Sequence, residues 1–287
     1  MSENDRFKKM LRNFLECLLC ASEKAAMIAR SCRSESSLFE LLVEEKIGAD
    51  KNDKFVQDFK TLADVLIQET VRHDLSQTFP VLGKHIFGEE SNKFTNTLGE
   101  TIIVSVQDDE TKTKKLLEKV LDGNQDAASI LAKNVHASIN LVDIETTIPK
   151  DIPDNNFDIE DIGVWIDPID ATSQYIKGGL ETVSEGHPPT KGLKVVTVLI
   201  GAFQLSSGQT CVGVVNQPFG VKERVHWGIS LDNLNLSSVS SSSSQSMRAL
   251  IGSSEDDKLA AVLSEKYQVI KAGGAGHKLL MIALGIE

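Results

Sequence analysis

The sequence predicts a mixed α/β fold, on three observations. The segment Arg6–Arg33 places its apolar side chains at helical spacing, which is typical of a long amphipathic helix. The short apolar run Val164–Ile166 predicts a strand that is buried on both faces, and it ends abruptly in a carboxylate at Asp167. The last forty residues carry strand, helix and strand patterns in turn, as at the beginning of an α/β domain.

The remaining elements follow from the same periodicities. Apolar residues at helical spacing predict helices over Leu38–Glu45, Phe55–Arg72, Thr111–Leu121, Ala127–Lys133 and Lys258–Tyr267. β-Branched and apolar runs predict strands over His85–Gly88, Ile102–Val104, Lys194–Phe203, Thr210–Val215, Val225–Gly228, Arg248–Ile251 and Val269–Lys271. The serine run Ser237–Ser246 cannot bury apolar area, so it predicts a connection between a domain over residues 1–245 and one over residues 246–287.

Composition limits the classes of function. With 287 residues, 41% of them hydrophobic and 25% charged, the chain is expected to be a soluble globular protein with one large or two modest cores. A net charge of −11 argues against nucleic acid or an anionic membrane as a partner. Neither a signal peptide nor an apolar run of about 18 residues is evident. The cytosol is therefore the expected location.

The cysteines do not form a zinc or disulfide framework. Cys17 and Cys20 have the spacing of a redox pair, but they lie within a helical pattern with no strand before them. We predict that they are a buried, reduced pair with a structural role.

The most informative stretch begins at Asp167. Pro168 removes an amide and fixes φ, so we expect the strand to end there and Asp170 to return toward Asp167, with the Ile169 carbonyl between them. Such a group of hard oxygens suits Mg²⁺ or Mn²⁺. The alternative is an ordinary polar turn. The following segment, Thr172–Lys177, is a predicted helix whose first amides would face a phosphate oxygen.

Taken whole, Val164–Thr172 resembles the metal-binding signature of the inositol monophosphatase-like superfamily. The continuation Gln174–Gly178 most resembles the branch that removes the 1-phosphate of inositol polyphosphates. The resemblance implies an alternating α-β-α-β-α sandwich, with an N-terminal α+β domain that carries most of the metal ligands and an α/β second domain.

The same resemblance implies functional roles for three acids that spacing alone would assign to solvent-exposed positions. By spacing alone Asp64 is a solvated helix position, and the pair Glu89 and Glu90 is a strand end in solvent. The superfamily pattern implies a metal site, with Thr172 and the two glutamates orienting the water that attacks phosphate. The implied metal ligands are Asp64, Glu89, Asp167, the Ile169 carbonyl and Asp170.

The glycine-rich stretch Ala272–Lys278 is not a Walker loop, because the Gly-Lys-Ser/Thr ending is absent. It resembles the superfamily's A-G-A-G-x-K element, which implies contacts to the inositol ring and its phosphates. Asp256 stands where the polyphosphate branch has a lysine. The implied substrate contacts are Asp170, Ala171, Thr172, Ser254, Gly274, Ala275 and Lys278.

One part of the superfamily pattern is missing. The superfamily has a further aspartate in a W-D motif, yet neither Trp165 nor Trp227 is followed by aspartate, and the chain stops at Glu287. We therefore expect a C-terminally truncated chain with an incomplete second domain and low or absent turnover.

The function that the resemblance implies is hydrolysis of a phosphate monoester by metal-activated water. The expected substrates are inositol 1,4-bisphosphate and inositol 1,3,4-trisphosphate, in the turnover of inositol phosphate signals, with Mg²⁺ as cofactor and Li⁺ as inhibitor. Small-molecule inositol phosphates are the expected partners, and no obligate protein partner is evident. Two alternatives stay open: a 3′(2′),5′-bisphosphate nucleotidase, and a truncated form that binds but barely turns over.

Overall fold

The protein is described by a computed structural model over residues 10–34, 43–45, 59–154, 156–180, 188–239 and 248–285. Its helices are α1 Met10–Ser34, α2 Leu62–Thr78, α3 Glu110–Val120, α4 Gln125–Val135, α5 Thr172–Lys177, α6 Asp257–Ser264 and α7 Ala275–Ala283. Its strands are β1 Val43–Glu45, β2 Phe59–Thr61, β3 Ile86–Gly88, β4 Lys93–Thr95, β5 Thr101–Ile103, β6 Ile162–Asp170, β7 Thr197–Gln204, β8 Thr210–Asn216, β9 Val225–Leu231, β10 Leu234–Ser237, β11 Arg248–Gly252 and β12 Gln268–Ala272.

The main sheet has six strands in the order β10-β9-β8-β7-β6-β3. Strands β6 to β10 pair antiparallel, whereas β3 pairs with β6 in parallel, with Ile86 opposite Val164. Because β3 and β6 run in the same direction, the chain passes beyond their paired residues at the same end of the sheet. This end of the sheet holds the candidate site.

Helices α1 and α2 pack together, and α1 also contacts β7, β8 and β9. The apolar spacing that predicts α1 is buried as expected, with Leu11, Phe14 and Leu18 fully inaccessible. Phe14 contacts the rings of Phe79 and Phe157 at centroid distances of 5.7 and 5.3 Å. No helix within the described residues combines the length and the hydropathy that a membrane span needs.

The prediction that the central strand is buried on both faces is wrong. Val164 and Ile166 are buried in the core, but 52% of Trp165 is exposed on the opposite face. There its ring stacks on Phe87 of β3 at 6.1 Å. An apolar run of three residues predicts a strand, but it does not show which face of that strand is covered by another layer of the fold.

The region before α2 also differs from the prediction. Within the predicted helix Leu38–Glu45, the described residues Val43–Glu45 form β1, which pairs with β2, and the rest lies outside the described residues. Of the predicted helix Phe55–Arg72, residues 55–58 lie outside the described residues, and Phe59–Thr61 form β2. The helix runs from Leu62 to Thr78, and a capping box of Thr61 and Asp64 fixes its start.

The C-terminal elements form the predicted strand, helix and strand. β11 and β12 pair in parallel, with Gly252 opposite Ala272, and α6 connects them. α6 begins one residue earlier than predicted and ends at Ser264 instead of Tyr267. Its N-cap is Asp256, which accepts a hydrogen bond from the Lys258 amide at 2.9 Å. The predicted domain boundary falls at residues 240–247, which lie outside the described residues.

The prediction for the cysteine pair is only partly confirmed. Cys17 and Cys20 carry free thiols, but both are half-buried, in a cleft of about 390 Å³ between α1, α2 and the end of α4. Burial raises the pKa of the Cys20 thiol to about 11, with smaller effects from nearby Cys17 and Glu16. The thiols therefore stay protonated at neutral pH, as a structural role requires.

Candidate active site

Two acids face each other just beyond the last paired residues of β3 and β6, which are Gly88 and Ile166. The amide of Glu89 still donates to the Ile166 carbonyl at 3.1 Å, so the first residue after β3 remains attached to β6. The carboxyl groups of Glu89 and Asp167 lie within hydrogen-bonding range of each other, and such a bond requires a proton on one of them. The structure brings these two acids together, although they lie 78 positions apart in the chain.

The environment of Asp167 disfavours negative charge. Burial, followed by the proximity of Glu89, Asp170 and Asp64, raises the pKa of Asp167 to about 9. Its Oδ1 atom is inaccessible and has no hydrogen-bond partner among the residues that the structure describes. A buried carboxylate oxygen without a partner, surrounded by other carboxylates, is the environment that a divalent cation would stabilise.

Asp170 occupies a different position from the one expected. β6 does not end at Pro168 but continues to Asp170, which pairs with Thr197 after an irregularity that begins at Asp167. The Asp170 carboxylate accepts hydrogen bonds from the amides of Ala275 and Gly276 at 3.1 and 2.8 Å, and from the Thr197 hydroxyl at 3.1 Å. Asp170 therefore joins β6 to the first turn of α7, in addition to lying near Asp167.

Asp64 lies at the start of α2, within electrostatic range of Asp167. Its Oδ2 atom accepts from the Thr61 amide at 2.6 Å and from the Thr61 hydroxyl at 2.7 Å. It is 1% exposed, so the alternative of a solvated helix position is wrong. Its carboxylate has a structural role in this arrangement.

The acidic side chains among the predicted metal ligands therefore lie near one another, but they do not form a complete coordination site. Among the residues that the structure describes, no three His, Cys, Asp or Glu side chains are arranged to hold a metal ion. The reason is visible in their hydrogen bonds: Glu89 and Asp167 bind each other, while Asp64 and Asp170 bind backbone amides. The donor set still fits a hard divalent cation, because the group is made of carboxylates and includes one buried oxygen without a partner.

The predicted helix after the motif is confirmed as α5. Ala171 adopts a left-handed conformation with φ of 69°, which turns the chain from β6 into the helix, and Gly178 with φ of 67° ends it. The Thr172 hydroxyl donates to the Ile169 carbonyl at 2.9 Å. Thr172 and that carbonyl are therefore held together, as the predicted roles require, and the first amides of α5 have no acceptor within the helix.

The glycine-rich loop lies against Asp170. Gly274 has φ of 74°, and a Cβ atom there would lie 2.7 Å from the Val195 carbonyl oxygen. The Lys278 ammonium donates to the carbonyl of Gly274 at 2.8 Å, inside the loop. Ser254 comes just after β11, and Gly274 comes just after β12. Because these two strands are parallel, both predicted substrate contacts lie at the same end of the small sheet.

Sequence reasoning missed the residue that holds the Glu89–Glu90 turn. The side-chain amide of Gln68 makes two hydrogen bonds to the Glu90 backbone. The available signal was an amide one helical turn after Asp64, on the same face of α2. That signal becomes meaningful only when β3 is known to lie beside this helix.

Comparison with known proteins assigns the family. Residues 14–286 match the inositol monophosphatase family. The chain belongs to this family. It is 43% identical over 300 residues to inositol polyphosphate 1-phosphatase of Mus musculus, covering 94% of this chain and 74% of the mouse protein. The Bos taurus protein of the same name is 42% identical over 313 residues, with coverage of 96% and 76%.

The fold agrees with this assignment. The crystal structure of the extragenic suppressor protein suhB from Bartonella henselae aligns with a TM-score of 0.52, at 13% sequence identity, over 95% of this chain and 75% of the other. The layered α/β architecture expected of the inositol monophosphatase family is thereby confirmed.

Proposed function

We propose that this member of the inositol monophosphatase family is a metal-dependent phosphomonoester hydrolase that removes the 1-phosphate of inositol polyphosphates. The observation that carries the proposal is the pair of facing carboxylates, Glu89 and Asp167, at one end of two parallel strands. The names of relatives that are about 40% identical over nearly the whole chain support the substrate class.

Mg²⁺ is the proposed cofactor, held by Glu89, Asp167 and the Ile169 carbonyl, with Asp170 and Asp64 adding negative charge nearby. When bound there, it would supply Lewis-acid activation of water and would neutralise phosphate charge. Acidic residues and a backbone carbonyl are the oxygen donors that Mg²⁺ prefers, which supports this choice over zinc.

The chain's own groups would perform the remaining tasks. The Thr172 hydroxyl, held at the Ile169 carbonyl, would orient the attacking water, and Glu89 and Glu90 would assist as acids. The amides of Ala171 and Thr172, at the start of α5, would donate to phosphate oxygens. Ser254, Gly274, Ala275 and Lys278 would contact the inositol ring and its other phosphates, beyond Asp170.

The proposal predicts phosphate release from inositol 1,4-bisphosphate that requires Mg²⁺. Release should stop when EDTA is added, return when Mg²⁺ is restored, and fall when Li⁺ is included. The measurement is inorganic phosphate under single-turnover conditions, with enzyme in excess, so that slow chemistry is still detected.

Two results would count against the proposal. Equal release with and without EDTA would exclude a metal-dependent reaction. Preference for adenosine 3′,5′-bisphosphate over inositol 1,4-bisphosphate in a competition assay would instead make the nucleotide the substrate. In a parallel control, Asp126→Asn changes an exposed aspartate on α4 and should leave the release of phosphate unchanged.

A further inference from the structure

β3 forms the lateral edge of the main sheet, so within the described part of the chain one side of its backbone has no neighbouring strand. Helix α2 lies along that side and binds it with two side chains that are one helical turn apart. Arg72 donates to the carbonyl of Ile86 inside β3. Gln68 binds the residues that follow β3. Side chains of a helix therefore take the place of a partner strand along this edge.

The Gln68 side chain binds the backbone of Glu90 on both sides of its Cα atom, at the amide N–H and at the carbonyl. Its Nε2 atom donates to the Glu90 carbonyl at 2.5 Å, and its Oε1 atom accepts from the Glu90 amide at 2.9 Å. Gln68 is only 1% exposed, so water does not compete for these bonds. Two bonds from one planar amide set the orientation of the Glu90 backbone as well as its position.

Gly88 provides the space that this contact needs. A Cβ atom on Gly88 would lie 1.9 Å from Oε1 of Gln68 and 2.3 Å from its Cδ atom. On the other side of the turn, the Glu89 amide is bound to the Ile166 carbonyl. The backbone of Glu89 is therefore fixed between β6 and α2.

We propose that Gln68 is a positioning residue, which acts through the Glu89–Glu90 turn to direct the Glu89 carboxylate at Asp167 and so to set the affinity for a divalent cation. This inference rests on the proposed function only in assuming that these two carboxylates bind the cation. The geometric part, that Gln68 holds the turn, is independent of that assumption. Outer hydrogen-bond partners of metal ligands typically change metal affinity by about 10–100-fold.

The first test measures Mn²⁺ binding to the full chain by electron paramagnetic resonance. Gln68→Met keeps the length of the side chain but removes both hydrogen bonds, and we expect it to weaken Mn²⁺ binding at least tenfold. Thr70→Val is the matched control, because Thr70 is buried on the same helix and its hydroxyl binds only the Leu66 carbonyl within the helix. This control should lose stability but keep wild-type Mn²⁺ affinity.

Gly88→Ala gives a second route to the same result, since its Cβ atom would displace Gln68 without altering that residue. It should weaken Mn²⁺ binding to a similar extent. Wild-type Mn²⁺ affinity in a folded Gln68→Met or Gly88→Ala protein would overturn the proposal and leave Gln68 with a role in stability alone.

The second test reports on the turn without any metal. Hydrogen–deuterium exchange should show faster exchange of the Glu90 amide in Gln68→Met than in Thr70→Val, because its acceptor is gone. Unchanged protection of that amide would overturn the positioning role. If the wild-type chain bound no Mn²⁺, the proposed function would fail, and this exchange experiment would still decide whether Gln68 holds the turn.

Discussion

Replacing Asp167 with asparagine is expected to abolish metal-dependent phosphate release while making the metal-free protein more stable. The loss should exceed about 100-fold, because the substitution removes one of the two facing carboxylates. The gain in the free energy of unfolding at neutral pH should be about 1–3 kcal/mol, since Asp167 must take up a proton in order to fold among the neighbouring acids, whereas asparagine is neutral in both states. Opposite effects on activity and stability are typical of residues retained for function.

The stability gain should depend on pH in a defined direction. Burial and the neighbouring acids raise the pKa of Asp167 from 3.8 to about 9 in the folded protein. Between these values the folded state keeps a proton that the unfolded state has lost, so the stability of the metal-free wild type falls as pH rises. The advantage of Asp167→Asn should therefore be absent below about pH 4 and should grow up to about pH 9.

Chemical denaturation of both proteins in EDTA, at several pH values, measures this effect. Asp126→Asn serves as the control, because Asp126 is exposed and is not one of the acids that raise the pKa of Asp167. A destabilised Asp167→Asn protein at neutral pH would contradict the account, since it would mean that the Asp167 carboxylate is favourably bound without a cation.

Replacing Gly274 with alanine is expected to lower the free energy of unfolding by about 2–4 kcal/mol. The backbone there has φ of 74°, which disfavours any residue with a Cβ atom. In addition, that atom would lie 2.7 Å from the Val195 carbonyl oxygen and 3.0 Å from Oδ2 of Asp170. The loop cannot move away without loosening the hydrogen bonds between Asp170 and the start of α7.

Gly179→Ala separates the two causes. Gly179 also has a positive φ, of 91°, but no atom of the described residues lies within 4 Å of its Cβ position. It should cost only about 1 kcal/mol, from backbone conformation alone. Equal losses in the two variants, measured by denaturant unfolding, would show that contact between the loop and Asp170 contributes nothing to stability.

The sequence predicts the centre of the site better than its surroundings. In the sequence, Glu89 and Asp167 each follow a short apolar run that predicts a strand. Acids that follow parallel strands lie at the same end of a sheet, so their proximity could be expected once these two strands pair. Thr172 and α5 follow from the same motif, because Gly178 marks the end of the helix. These features are local, or depend on one pairing of strands.

The contacts that the sequence could not predict join distant segments. Asp170 binds the amides of Ala275 and Gly276, which are 105 and 106 positions away, and no spacing rule connects them. Gln68 is indistinguishable in sequence from a solvated helix position until β3 is placed beside α2. The exposure of Trp165 likewise depends on which layers cover the sheet, and this is a tertiary property.

The central claim is that the carboxylates of Glu89 and Asp167 bind one divalent cation together. The most direct measurement is an anomalous difference map from crystals of the full chain soaked in Mn²⁺. The account predicts a peak within about 2.5 Å of an oxygen from each of these two side chains. A map without that peak, in which Glu89 and Asp167 are still hydrogen-bonded to each other at saturating Mn²⁺, would contradict it.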